Sequence, residues 1–235
     1  MTRKLVTEAI GTFFLVLTIG LTVTAGEALA PVAIGSVLMV MVYMGGAVSG
    51  AHYNPAVTFA MLLRGKVTAA EAVGYVAAQL AGAVLAALAV YGLAGTTFMP
   101  APAASAGMVQ VLVVEALFTF ALALVVLNVA TARETEGNSY FGLAIGFTVL
   151  AGAFAGGPIS GGAFNPAVGI GPALVAALVG GQPVGQVIYY IVGPLVGAAL
   201  AAPVFAMQHP EPPAGTATRP TVVDLPVEPE AVPHP

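Results

Sequence analysis

The sequence predicts an all-α membrane protein with six transmembrane helices plus two re-entrant half-helices, arranged as an inverted repeat. Three observations carry this. Of 235 residues, 59% are hydrophobic and only 7% charged, more apolar surface than a water-soluble domain of this length can bury. Apolar stretches of about twenty residues, the length that crosses a bilayer, recur along the chain. The tripeptide Asn-Pro-Ala occurs twice, in SGAHYNPAVTFA at Asn54, Pro55 and Ala56 and in SGGAFNPAVGIG at Asn165, Pro166 and Ala167. Each copy opens an apolar segment too short to span.

The spans read in order as residues 5–25, 31–48, 69–91, 108–130, 140–155 and 183–207. They are continuous and rich in Ala, Leu and Gly, without the alternation of a membrane β-barrel. Arg3 and Lys4 precede the first run, which is too long for a signal peptide and has no clear cleavage site. Arg64 and Lys66 follow the second span, Arg133 follows the fourth, and Arg219 lies near the C-terminus. An even number of spans puts all of these on one side. The opposite loops (26–30, 92–107 and 176–182) hold no Lys or Arg. The positive-inside rule then expects a multi-pass protein of the cell membrane with both termini in the cytoplasm. Residues 207–235, rich in Pro, Glu and Thr, read as a disordered cytoplasmic tail.

Absences narrow the function. There is no cysteine, hence no disulfide or thiol chemistry. No nucleophile–base arrangement, metal-ligand cluster or phosphate loop is visible, so neither an enzyme nor a cofactor or metal site is expected. No basic patch suggests nucleic acid as a partner. An ion-coupled secondary transporter is a second class, but its only intramembrane carboxylates would be Glu8 and Glu115.

The chain repeats itself. VTEAIGTFFLVLTI around Glu8 resembles VVEALFTFALALVV around Glu115, and AAQLAGA at Gln79 resembles IVGPLVGA at Pro194. With the Asn-Pro-Ala copies, the offsets are 107, 111 and 115. The channel domain is thus 1–206, with repeats of about 3–92 and 108–206. Each holds three spans, so the second starts on the other side of the membrane and the repeats are inverted. Asn is a favoured N-cap and Pro suits the first helical position. Half-helices 55–64 and 166–175, each about 15 Å long, should start near the midplane and run to opposite faces. Backbone at that depth must be packed in protein or line a wet cavity. Gly50, Ala51, His52, Tyr53, Gly161, Ala163 and Phe164 are therefore expected to present extended backbone carbonyls to a pore. Two Asn amides would donate at its centre, where each half-helix N-terminus adds roughly half a positive charge. Water can pass such a site by exchanging hydrogen bonds, while cations are repelled.

Over residues 3–206 the chain resembles the major intrinsic protein family, the aquaporins and glycerol facilitators. The shared features are both Asn-Pro-Ala boxes in their flanks, six spans and the glutamates at Glu8 and Glu115. The resemblance implies an aquaporin-like fold, a homotetramer in membrane lipid with one pore per subunit, and passage of water and small neutral solutes. It makes Glu8 and Glu115 braces for the re-entrant loops rather than proton relays. It also maps an outer selectivity filter onto Ile34, Ala153, Gly162 and Val168. Family members usually carry Arg at the last of these. Here the filter holds no charge, which implies a wide, apolar constriction open to glycerol, urea, ammonia or undissociated metalloid acids. A glycerol or metalloid facilitator, with water secondary, is the alternative reading. Phe147, Phe154 or Phe164 could refill the gap.

Overall fold

The computed structural model describes residues 1–210. Among the described residues, six helices are long and apolar enough to cross a membrane: α1 (Thr2–Thr24), α2 (Ala30–Ser49), α4 (Ala69–Ala94), α5 (Met108–Thr131), α6 (Phe141–Ser160) and α8 (Val187–Gln208). Two shorter ones, α3 (Pro55–Leu63) and α7 (Pro166–Gly180), begin at the Asn-Pro-Ala boxes.

Local chemistry sets the helix ends. Thr68 caps α4 by accepting from the Glu71 N–H at 3.2 Å, and the Glu71 carboxylate accepts from the Thr68 N–H at 3.1 Å. Asn54 and Asn165 cap α3 and α7, each with proline in the first turn. Gly50 and Gly161 end α2 and α6 with φ of 86° and 92°, a conformation that costs a β-carbon dearly.

Several boundaries differ from the sequence reading. Helix α6 runs on past 155 to Ser160, with Pro158 inside it, until Gly161 stops it in left-handed backbone. Helix α7 has fifteen residues, about 22 Å rather than about 15 Å, since the apolar run continues beyond Val175 until Gly181. Helix α8 starts at Val187, after Pro183 and a turn closed by the Val187 N–H on the Val184 carbonyl at 3.0 Å, and it includes Met207 and Gln208. The rest of the expected tail, residues 211–235, lies outside the described residues.

The chain crosses back and forth as the repeat requires. Helix α1 packs on α4 as α5 packs on α8, and α2 meets α6 between the halves. The short helices cross over: α3 packs on α8, and α7 on α4. Close approach depends on small residues. A β-carbon at Gly82 would collide with the Ala9 carbonyl, and one at Gly197 with the Ala116 carbonyl. These are equivalent positions in the two repeats. The face bearing the N-terminus is fastened by Lys4 to Glu71 at 3.1 Å and by the Arg64 guanidinium 5.0 Å from the centre of the Phe205 ring. It is called the basic face below, and the other the far face. The outer surface is apolar too, with Val73, Leu117 and Leu178 exposed, as lipid contact requires.

Gly197→Leu should wedge α5 from α8 and destabilise the protein by about 1–3 kcal/mol. The melting temperature in detergent is expected to fall by several degrees. Gly92→Leu, whose β-carbon meets nothing within 4 Å, should leave it unchanged. Equal melting of the two variants would deny the packing role of Gly197.

Candidate functional site: two re-entrant loops around a cavity

The loops after α2 and α6 do not run extended. Gly50, Ala51 and Tyr53 have φ of 86°, 52° and 49°, matched by Gly161, Gly162 and Phe164 at 92°, 64° and 47°. Left-handed backbone costs a non-glycine residue roughly 1–2 kcal/mol, more than a loop would keep unaided. Two fully buried carboxylates hold it. Glu8 accepts from the Ser49 hydroxyl (2.7 Å), the His52 N–H (3.0 Å), the Tyr53 N–H (2.7 Å) and the Gln79 amide (2.8 Å). Glu115 accepts from the Ser160 hydroxyl (2.7 Å), the Ala163 N–H (3.1 Å) and the Phe164 N–H (2.7 Å). The left-handed turns aim consecutive N–H groups at one carboxylate, which extended backbone could not do. Tyr75 and Tyr190 complete the frame, each donating to the carbonyl of the serine at the base of its loop (Ser49 and Ser160) at 2.6 Å.

The two loops are stitched together through the Asn side chains. Asn54 Oδ1 accepts from the Ala56 N–H at 2.8 Å, while its Nδ2 donates to the Phe164 carbonyl at 2.9 Å. Asn165 does the same with the Ala167 N–H and the Tyr53 carbonyl, both at 2.9 Å. An Asn amide has two N–H bonds. One from each is used in this exchange, and the other is free for the cavity that both residues line. Pro55, Ala56, Pro166 and Ala167 are buried in the first turns behind them.

That cavity has a volume of about 420 Å³ and is lined along its length by α1, α2, α5, α6 and both loops. Its wall includes Ile34, Ala153, Gly162 and Val168, together with Ala51, His52, Gly161, Ala163 and Phe164. Gly50 and Tyr53 are not on the wall; Tyr53 is fully buried, with its hydroxyl donating to the Met41 carbonyl at 2.9 Å. The Thr58 hydroxyl donates to the Asn54 carbonyl at 3.0 Å and accepts from Gln79 Nε2 at 3.0 Å, and it shares a hydrogen bond with His52 Nδ1 at 3.1 Å. The other ring nitrogen of His52, Nε2, is buried without a protein partner. None of the three phenylalanines refills the filter region. Phe147 and Phe154 are exposed on the outer surface, and the Phe164 ring packs against Phe118 with centroids 5.2 Å apart. The sequence reading missed Ser49, Ser160, Thr58, Tyr75 and Tyr190, although the serines share the offset of 111 and the tyrosines that of 115. It also missed a wall segment, Phe98–Ala101, for which the sequence offers no signal.

Six spans and two half-helices meeting around such a cavity define a multi-pass membrane protein of the channel class. A family model described as major intrinsic protein matches residues 1–205. The chain is 40% identical over 209 residues to glycerol uptake facilitator protein-like 6 of Lactiplantibacillus plantarum, covering 85% of this chain and 95% of that protein. It is 36% identical over 216 residues to a probable aquaporin NIP-type of Nicotiana alata, covering 86% and 76%. Its fold is similar to that of the aquaglyceroporin from Plasmodium falciparum, with TM-score 0.78 and 22% identity over 87% of this chain and 95% of that one. The chain belongs to the major intrinsic protein family. It is a passive membrane channel for water and small solutes, not an enzyme.

Replacing either glutamate by glutamine puts an NH₂ where an oxygen accepts a backbone N–H, whichever oxygen is lost. Glu8→Gln and Glu115→Gln should each cost about 1–3 kcal/mol. Yield and melting temperature are expected to fall, while the water-to-glycerol permeability ratio of the surviving protein stays at the wild-type value. Normal stability with an altered ratio would contradict the bracing role.

Proposed function

We propose that the channel conducts water and small uncharged solutes through the cavity, past the free N–H groups of Asn54 and Asn165. The observation that carries this is the uncharged wall at Ile34, Ala153, Gly162 and Val168, all on one cavity with both amides. Val168 sits in the first turn of α7, where a guanidinium would add a charge and up to five donors. Its absence supports a wide, apolar constriction that admits polyols and neutral acids as well as water.

Charge selectivity in this reading comes from the centre. The N-termini of α3 and α7 converge there, each equivalent to roughly half a positive charge. A cation meets this barrier after losing its hydration shell. A water molecule accepts from the two amides and turns its own hydrogens outward, which interrupts proton hopping along the file.

A glycerol or metalloid-acid facilitator with water secondary remains a second reading, favoured by the relative named a glycerol uptake facilitator. The charge pattern of Arg3, Lys4, Arg64, Lys66 and Arg133 supports a cytoplasmic basic face in the cell membrane. A homotetramer in lipid is part of the same proposal.

Stopped-flow light scattering on proteoliposomes tests the reading with water, glycerol, urea and arsenous acid. Val168→Arg should cut glycerol and arsenous acid flux by about tenfold, a typical penalty for a narrowed pocket, and water by much less. Unchanged solute fluxes in that variant would remove Val168 from the constriction.

A further inference from the structure

The segment joining α4 to α5 is not a free surface loop. Phe98, Met99, Pro100 and Ala101 all line the cavity, on the same wall surface as Ile34 and Val168. Both ends of this short stretch are fixed. The Phe98 ring fills the notch left by Gly20 near the far-face end of α1, where a β-carbon would collide with it. Its neighbour Thr97 lies beside Gly180 at the end of α7. At the other end, the Ala101 backbone lies flush on Gly161, where a β-carbon would come within 2.8 Å of its N and O. The Ala103 N–H donates to the Ile159 carbonyl at 3.0 Å.

The anchors lie on different sides of the cavity. Gly20 belongs to α1, whereas Ile159 and Gly161 end α6 and begin the second re-entrant loop. Met99 and Pro100 therefore join the two anchors, and the four residues from Phe98 to Ala101 add bulk to the wall that Ala153 and Gly162 share. Ala153 and Gly162 contribute a methyl group and a hydrogen. Proline stiffens the crossing by fixing its own φ. Methionine supplies an unbranched, polarizable side chain that fits irregular space without demanding a hydrogen bond.

We propose that this strap sets the size cut-off of the channel, and that Met99 is a specificity-determining residue. The bulk missing at Ala153 and Gly162 is supplied from outside the helical frame, by a segment laid over the mouth. The proposal rests on the channel reading above. It concerns neutral polyols, which are excluded by width rather than by charge.

The test measures water, glycerol and erythritol permeability of the full chain in proteoliposomes. Met99→Ala should raise the erythritol-to-water ratio by roughly threefold or more, as removing several heavy atoms from an apolar constriction predicts. Met99→Phe should lower it. Phe98→Ala, which frees one anchor, should raise the ratio as Met99→Ala does. Ratios equal to wild type in both Met99 variants, with protein of normal melting temperature, would overturn the proposal even if Phe98→Ala fails to fold. Failure of the channel reading has a different signature: wild-type vesicles no more permeable to water or glycerol than empty ones, which would overturn both.

Discussion

The architecture depends on a buried carboxylate beneath each re-entrant loop. Lipid offers no hydrogen bonds, so a loop that turns back at the midplane must find partners for its N–H groups inside the protein. Glu8 and Glu115 supply them from the first helix of each repeat. Each is inserted at a cost of at least about 2.5–3.5 kcal/mol on translocon scales. The cost is offset because each carboxylate accepts from a serine hydroxyl and two consecutive backbone N–H groups. The same contacts hold Tyr53 and Phe164 in left-handed backbone, which turns their carbonyls toward the Asn side chains of the opposite loop.

The two repeats are not equally braced. Gln79 bridges Glu8 and Thr58, but its counterpart Pro194 has no donor to give, and Gly169 stands where Thr58 would be. Glu115 therefore leans on backbone and serine alone. The Gln79–Thr58–His52 cluster belongs to one loop only, and it leaves one imidazole nitrogen buried without a protein partner. The short helices differ as well, nine residues in α3 against fifteen in α7. The pseudo-twofold axis relates frames rather than surfaces, and the cavity has two unlike ends.

Much of the fold was legible in the chain because apolar length and the Asn-Pro pairs each report on one constraint of the bilayer. Glu8 and Glu115 stood out because charge inside a span is rare, whereas Ile34, Ala153, Gly162 and Val168, which line one cavity, came only from the family resemblance. The carbonyl ladder was misread. Residues 50–53 were expected to run extended along a pore, but φ is decided by where the N–H groups find acceptors, and the acceptor lies more than forty residues upstream at Glu8. The end of α7 was misplaced because Ala176 and Leu178 suit an apolar helix as well as a loop boundary. The stretch 98–101 gave no sign of its destination, since its anchors, Gly20 and Gly161, are distant glycines whose role shows only once a ring or a backbone lies against them.

The exchange of hydrogen bonds between Asn54 and the Phe164 carbonyl, and between Asn165 and the Tyr53 carbonyl, bears on how such a protein comes to be made. Neither short helix is apolar over enough length to settle in a bilayer by itself, and neither loop can satisfy the other's amide until both repeats have docked. Spans can enter the membrane one after another as they leave the ribosome. The midplane junction can close only when the last of them has arrived, so a chain halted after its first half is left with an open seam at the level where lipid tolerates it least.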